Sequence, residues 1–350
     1  MRAAQPLSVL SVAYPFAPVS LDPVGGAEQI LARLDRALVY AGHRSMVIAA
    51  PESHVVGRLI AIPRVQGLID QTQHALADRA VREAMNEALA VERIDVVHLH
   101  SLDFLGHLPP PGVPVLVTLH LPLELYPEAA LRPARPGTWL LPVSPHQSRS
   151  SPNLPLLPAI ENGVDLPAPT PYARRSYALA LGRICPEKNY ADALDASRRA
   201  DCPMLLAGHV YHYPEHLHYF HTEIVPRLDR TRRWIGRIAG ARKRRLLAGA
   251  RCVLIPSRIA ETSSLVAMES LAAGVPVIAY PAGALPEIVE HGRTGFIVED
   301  ARSMAAAIRA VDRIDRQSCR RAARERFCAE RMIGEYLSLY RRIAGVRAQS

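Results

Sequence analysis

Lysine is nearly missing from this sequence: of its 42 basic residues only Lys188 and Lys243 are lysines, the rest being arginine. A chain so biased retains lysine where a compact point charge on a flexible stem is needed. Aromatic residues are scarce as well, at 5%, which argues against a basic surface interleaved with stacking rings for nucleic acid. No uncharged apolar run reaches the roughly 18 residues of a spanning helix, because Asp, Glu, Arg, His or Pro interrupts each candidate. The apolar stretch from Leu7 to Ala17 has no basic region before it beyond Arg2 and no small-residue cleavage site, so it reads as a first strand and not as a targeting signal. Five cysteines, Cys185, Cys202, Cys252, Cys319 and Cys328, lie scattered without paired metal-ligand spacing. They read as buried thiols of a reducing cytoplasm. No G-x-G-x-x-G follows the first strand, which counts against a dinucleotide oxidoreductase.

What is present is length and charge. At 350 residues the chain exceeds one ordinary hydrophobic core, and 49% hydrophobic content lets two domains bury one each. The net charge of +9 admits phosphorylated ligands, nucleic acid or an anionic membrane as partners without choosing among them.

The first half alternates strand and helix. LSVLSVAYPF is strand-like, GGAEQILARLDRALVYAGH has helical apolar spacing that stops at Gly42, and MVIAA follows as a second strand. That is a βαβ unit, hence a parallel sheet. A polar helix is expected from Asp70 to Val91. IDVVHLHS (94–101) and VPVLVTLH (113–120) then read as buried strands whose carboxyl ends carry histidine, where open α/β sheets place ligands.

Between 141 and 172 the chain turns rich in Pro and Ser around SPNLPLLPAIENGVDLPAPTP, and the domain boundary is placed there. Beyond it YALALGRI, PMLLAGHV, RCVLIPS and VPVIAY repeat the strand pattern, and after Ser303 the chain is helical and Arg-rich. The expected organisation is α/β with two Rossmann-like domains, 1–158 and 159–328, and a closing helix over 329–350 that packs back toward the first domain.

Four signals of the second half converge on one kind of ligand. In LGRICPEK (181–188) a strand ends at Gly182, with Arg183 and Lys188 placing two cations at the mouth of the sheet, as a diphosphate requires; two surface cations after a strand by chance is the plain alternative. In PSRIAETSSLVAMESLAAGVPVIAY (256–280), Thr262, Ser263 and Ser264 are N-cap candidates for a helix over 265–273, whose free amides suit phosphate or sugar hydroxyls. Glu261 and Glu269 sit there among apolar residues, and a carboxylate so placed needs a partner such as vicinal hydroxyls, unless it is solvated on the outer face. GALPEIVEHGRTGFIV (283–298), with Glu287 and its glycine turns, is either a loop beside the same site or a surface turn. Finally, no Asp-x-Asp pair occurs, so a metal bridging a diphosphate has no evident ligands. Neither metal nor cofactor is expected.

On these residues the sequence resembles the family-four retaining glycosyltransferases of two-domain GT-B architecture, in which two Rossmann-like domains face across a cleft. The resemblance covers nearly the whole chain and is strongest from Asn162 to Asp300, where ENGVD, LGRICPEKN, MLLAGH, the two glutamates with seven residues between them and GALPEIVEHGRTGF occur in the family's order. It implies a nucleotide-diphosphate sugar donor (UDP-, GDP- or ADP-linked), a glycan, lipid or small-molecule acceptor, and transfer with retention. Arg183 and Lys188 would hold the diphosphate, Glu269 the ribose and Glu261 the transferred sugar, assisted by Gly182 and the amides of Ser264 and Leu265. WIGRIAG (234–240) resembles the loop near the base. Gly25 and Gly26 resemble the glycine-rich first loop, and His120 the histidine beside the donor sugar, whereas His98 and His100 are assigned structural roles. The set expected to carry catalysis is His120, Arg183, Lys188 and Glu261.

The resemblance departs at one point. Many relatives have glycine where Ser263 or Ser264 stands, which bears on donor choice, while acceptor choice is assigned to the loops around 121–139.

A nucleotide-sugar epimerase or a phosphorylase shares the architecture and is the alternative within enzymes. A lysine-bound pyridoxal cofactor has no evident place, Lys243 in ARKRRLL reading as part of a solvated basic helix. From another class, RRWIGRIAGARKRRLL (232–247) is the patch for a module binding nucleic acid or a membrane surface. The expected setting is cytoplasmic, peripheral contact with the inner face of a membrane being compatible and nucleic acid not expected.

Overall fold

A computed structural model describes residues 5–22, 25–64, 70–168 and 176–347. Residues 169–172 of the Pro- and Ser-rich segment lie outside them. The chain divides into two compact units, Met1–Glu161 with Glu330–Ser350, and Asn162–Ala329.

The first unit holds strands β1 (Ser8–Val12), β2 (Arg44–Ala49), β3 (Arg58–Ala61), β4 (Val96–Leu99), β5 (Val115–Leu119) and β6 (Thr138–Pro142), all parallel, in the order β3-β2-β1-β4-β5-β6. Its helices are α1 (Gly26–Tyr40), α2 (Gln71–Val91), α3 (Glu128–Leu131) and α4 (Pro145–Ser150). Period-two alternation sends successive side chains of β2 to opposite faces. Met46 and Ile48 join Val81 and Met85 of α2, while Val47 and Ala49 join Leu31 and Ala32 of α1. Both faces are thereby covered, which is why β1, β4 and β5 are buried at every position and largely apolar, not alternating. Two local signals set helix ends as expected. Asp70 accepts the amide of Gln73 at the start of α2, and Gly42, at φ +78°, turns the chain out of α1.

The second unit repeats the plan. Strands β7 (Ala178–Leu181), β8 (Met204–Ala207), β9 (Arg232–Trp234), β10 (Cys252–Ile255), β11 (Val277–Ala279) and β12 (Gly295–Ile297) run parallel in the order β12-β11-β10-β7-β8-β9. Helices α5 (Tyr190–Arg199), α6 (Pro214–Tyr219), α7 (Gly240–Gly249), α8 (Leu265–Ala272), α9 (Leu285–Ile288), α10 (Ala301–Ala310) and α11 (Arg316–Arg326) belong to it, and α12 (Ala329–Arg347) closes the chain. One sheet face packs Leu179, Val253 and Val277 against Met268 and Leu271 of α8; the other packs Ala180, Leu254 and Ile278 against Leu194 of α5 and Ile308 of α10. Each fully buried Val, Leu or Ile contributes about 1.5–3 kcal/mol.

Within the first unit, α12 sets Tyr336 and Tyr340 against the sheet, where both are fully buried. Among the described residues no helix is long and apolar enough to cross a membrane. Four of the cysteines are buried, Cys328 is half-buried, and all five are free thiols.

Candidate functional site

In the second unit the strand order reverses its progress between β7 and β10, so the loops leaving these neighbours diverge and open a crevice at their carboxyl ends. Both of the strongest sequence signals lie there. The loop after β7 turns through a 3₁₀ segment, Pro186–Lys188, and that after β10 runs into α8. They bring together two residues 73 positions apart: Lys188 Nζ donates to Glu261 Oε1 at 2.5 Å, and Ser257 Oγ donates to the same oxygen at 2.5 Å. The pair is largely enclosed, at 21% and 10% side-chain exposure.

Two glycines shape this corner. Gly182 has φ +148°, and a Cβ there would stand 2.4 Å from the hydroxyl of Tyr190, which itself donates to the Leu181 carbonyl. The demand for glycine thus comes from a neighbouring tyrosine as much as from any ligand. Gly283, at φ +61°, lies flat on the backbone of Glu261, where a Cβ would come within 2.3 Å of the carbonyl oxygen and 2.5 Å of the amide nitrogen. The amide of Ala284 donates to that carbonyl at 2.7 Å. The 283–298 segment is therefore bound to the Glu261 loop at its start and enters the sheet as β12, so it is not a plain surface turn. Gly283→Ala is expected to cost about 1–3 kcal/mol from backbone strain alone, read as a lower urea midpoint with unchanged slope.

Helix α8 begins at Leu265 with Ser264 in the N-cap position, but the Ser264 side chain makes no capping hydrogen bond. The expected serine cap is therefore absent, and the hydroxyl does not compete for the first-turn amides. Glu269, one turn further along, meets Lys243 of α7 with Nζ at 2.8 Å from Oε1 and 2.7 Å from Oε2.

This corrects the reading of Lys243 as part of a solvated basic helix. Arg242, Arg244 and Arg245 are exposed, whereas Lys243 shares the inward side with Leu246 and Leu247. That is the i, i+3, i+4 pattern of one helix face, and it was available in the sequence. Both lysines of the chain are therefore paired with the two glutamates of the 256–280 segment. Arg183 is more open, its Nη2 lying 3.7 Å from Glu187 Oε1 with 45% of the side chain exposed.

Gly25, Gly26 and His120 belong to the first unit. Gly25 is the N-cap of α1, and a Cβ on it would strike the carboxylate of Glu28 at 2.0 Å. The glycine thus lets Glu28, an acidic residue sequence reasoning passed over, fold back on a helix start where negative charge is favoured.

His120 follows β5 and contacts His100, Nε2 to Nδ1 at 3.0 Å. His100 Nε2 lies 3.1 Å from His98 Nδ1. His98 completes its partners with the Tyr340 hydroxyl at 2.7 Å and Thr118 Oγ1 at 2.8 Å, and Tyr336 reaches Thr118 at 3.2 Å. Desolvation depresses all three histidines, His98 and His100 well below the ordinary value and His120 to about 4. The imidazoles are neutral at pH 7 and act as hydrogen-bonding groups on one another.

Fold and site together define a doubly wound α/β protein whose second unit pairs Lys188 with Glu261 at its switch point and Lys243 with Glu269 on the helix that follows. Two family models match in tandem, Glycosyltransferase Family 4 over residues 24–196 and Glycosyl transferases group 1 over residues 175–312. The chain belongs to the group 1, family 4 glycosyltransferases.

Among curated proteins it is 30% identical over 194 residues to glycogen synthase of Mycobacterium tuberculosis (strain ATCC 25618 / H37Rv), covering 51% of this chain and 46% of that protein. It is 29% identical over 88 residues to N-acetyl-alpha-D-glucosaminyl L-malate synthase of Bacillus anthracis, covering 23% of each. The matches thus span less than half the length of these relatives. Among solved structures, sucrose-phosphate synthase from Thermosynechococcus elongatus superposes with TM-score 0.80 at 19% identity, over 97% of this chain and 100% of that one. AviGT4, a glycosyltransferase involved in avilamycin A biosynthesis, superposes with TM-score 0.71 at 24% identity, over 97% and 98%. These likenesses establish the GT-B fold.

Proposed function

We propose that the protein transfers a sugar from a nucleoside-diphosphate sugar to a hydroxyl acceptor with retention of anomeric configuration and without a metal bridging the diphosphate. The observation that carries this reading is the Lys188–Glu261 contact at the switch point, beside the start of α8. A lysine ammonium has three donors; one serves Glu261, leaving others for a phosphate. Glu261 keeps acceptor capacity for sugar hydroxyls, and Glu269, at the next turn, is assigned the ribose.

Charge that develops on the departing diphosphate is stabilised by Lys188, Arg183 and the amides of Ser264 and Leu265. The bond from anomeric carbon to diphosphate oxygen breaks as the acceptor oxygen bonds to that carbon on the same face, and the acceptor's proton passes to the leaving diphosphate. His120 is assigned a hydrogen bond to the donor sugar as a neutral imidazole, and Gly25 and Gly26 a close backbone approach.

UDP is the first ligand to test, since the Anabaena protein HepE, of the same fold, was crystallised in complex with UDP-glucose. One nucleoside diphosphate is expected to raise the melting temperature selectively with no added Mg²⁺ or Mn²⁺. At a hundredfold excess over Kd the gain is about 2.7 kcal/mol. If none of UDP, GDP, ADP or TDP shifts the transition, the reading fails.

A further inference from the structure

Cys185, Glu187 and His216 offer one ligand atom each, a thiol sulfur, a carboxylate oxygen and an imidazole nitrogen, all within 4.8 Å of one another. Cys185 and Glu187 come from the loop after β7, and His216 from α6, more than twenty residues later in the chain. Cys185 is fully buried and His216 is 9% exposed. Its Nδ1 is buried without a hydrogen-bond partner. A buried imidazole nitrogen with nothing to bond is uncommon in a native fold and calls for an explanation, an ion among them. Tyr213 packs edge-on against the ring at 5.1 Å, which fixes its plane. Glu187 is the open side of the cluster, at 31% side-chain exposure, and supplies an entry path.

We infer that Cys185, Glu187 and His216 bind a divalent cation of the zinc class. Sulfur, nitrogen and carboxylate oxygen together select zinc or cobalt over magnesium or calcium, which take oxygen alone. Ligand atoms around a tetrahedral zinc stand about 3.5 Å apart, so an inward movement of about 1 Å closes the set and leaves a fourth position for water. Binding forms a metal–sulfur bond and releases the thiol proton to solvent.

The bound ion ties the loop carrying Arg183 and Lys188 to α6, and withdraws Glu187 from its 3.7 Å ion pair with Arg183. Its role is to hold that loop, and it is separate from the metal-free handling of the diphosphate proposed above.

The test uses the full chain without an affinity tag, stripped with a chelator and then titrated with Zn²⁺ against a chromophoric competitor, and separately with Co²⁺. The expected results are one zinc per chain, affinity at least tenfold weaker in Cys185→Ser and His216→Gln, and a near-ultraviolet thiolate-to-cobalt charge-transfer band lost in Cys185→Ser. The cobalt band in the unsubstituted chain stands independently of whether either variant folds. Substoichiometric zinc, absence of the band, or a band that persists in Cys185→Ser through another of the cysteines would overturn the assignment. None of these readouts involves a nucleotide, so failure of the proposed transferase activity leaves them unaffected.

Discussion

Lys188→Ala is expected to weaken nucleoside-diphosphate binding about 10- to 100-fold, since a hydrogen bond to a charged group contributes about 1.5–3 kcal/mol. Two effects add. The phosphate loses a point charge, and Glu261, only 10% exposed, loses its cationic partner and retains Ser257. Lys188→Arg separates them, because it keeps the charge but replaces a compact ammonium by a planar fork. In a chain that otherwise uses arginine almost everywhere, the arginine variant is expected to recover only part of the affinity. Calorimetric titration with UDP measures both variants, and wild-type affinity in Lys188→Ala would remove Lys188 from the site.

Stability is expected to fall steeply as the solution is acidified below about pH 6.5, the ordinary histidine value. His98, His100 and His120 are depressed in the folded chain, His120 to about 4. Between pH 6.5 and 4 the unfolded chain therefore binds protons that the folded one refuses. The contribution is complete above 6.5 and is lost as pH falls toward the folded values, at about 1.4 kcal/mol per pH unit for each histidine. His43, His107, His209 and His216 are lowered too and act in the same direction. Urea denaturation at pH 7.5, 6 and 5 gives the slope, and His100→Gln should reduce it by one histidine's share. A flat profile would mean that the cluster takes up protons without unfolding.

The sequence announced the fold wherever a strand is buried on both faces. SVLSV, VVHL, VLVTL, ALAL and CVLI are all but continuous apolar runs, and each is a central or near-central strand. It did not announce β3, β9 and β12, which are edge strands of three or four residues, RLIA, RRW and GFI, and are only partly buried. In RRW two arginines obscure any apolar pattern, and pairing with β8 alone makes it a strand. β6 was hidden differently: TWLLP sits at the end of a Pro-rich loop, and pairing with β5 makes it a strand.

For the site, residue types marked Lys188, Glu261 and Glu269 as candidates, but which lysine meets which glutamate is a long-range fact carried by no local spacing. The Cys185, Glu187 and His216 cluster was unreadable for the same reason. Its first two members form an unremarked C-x-E, and the third arrives from another helix.

The first unit is built from two pieces of chain, and α12 supplies the second. The second unit, by contrast, is one continuous stretch whose ends meet: the Val164 amide donates to the Phe327 carbonyl at 2.8 Å, and the Ala329 amide donates to the Val164 carbonyl at 3.0 Å. On a ribosome, residues 162–329 emerge whole before the rest of α12 does. The unit translated second can thus close first, while the unit begun earlier still lacks Tyr336 and Tyr340 and shows His98 and Thr118 to water. Its last folding step waits for the final helix, and a nascent chain halted before residue 330 carries one finished unit behind an unfinished one.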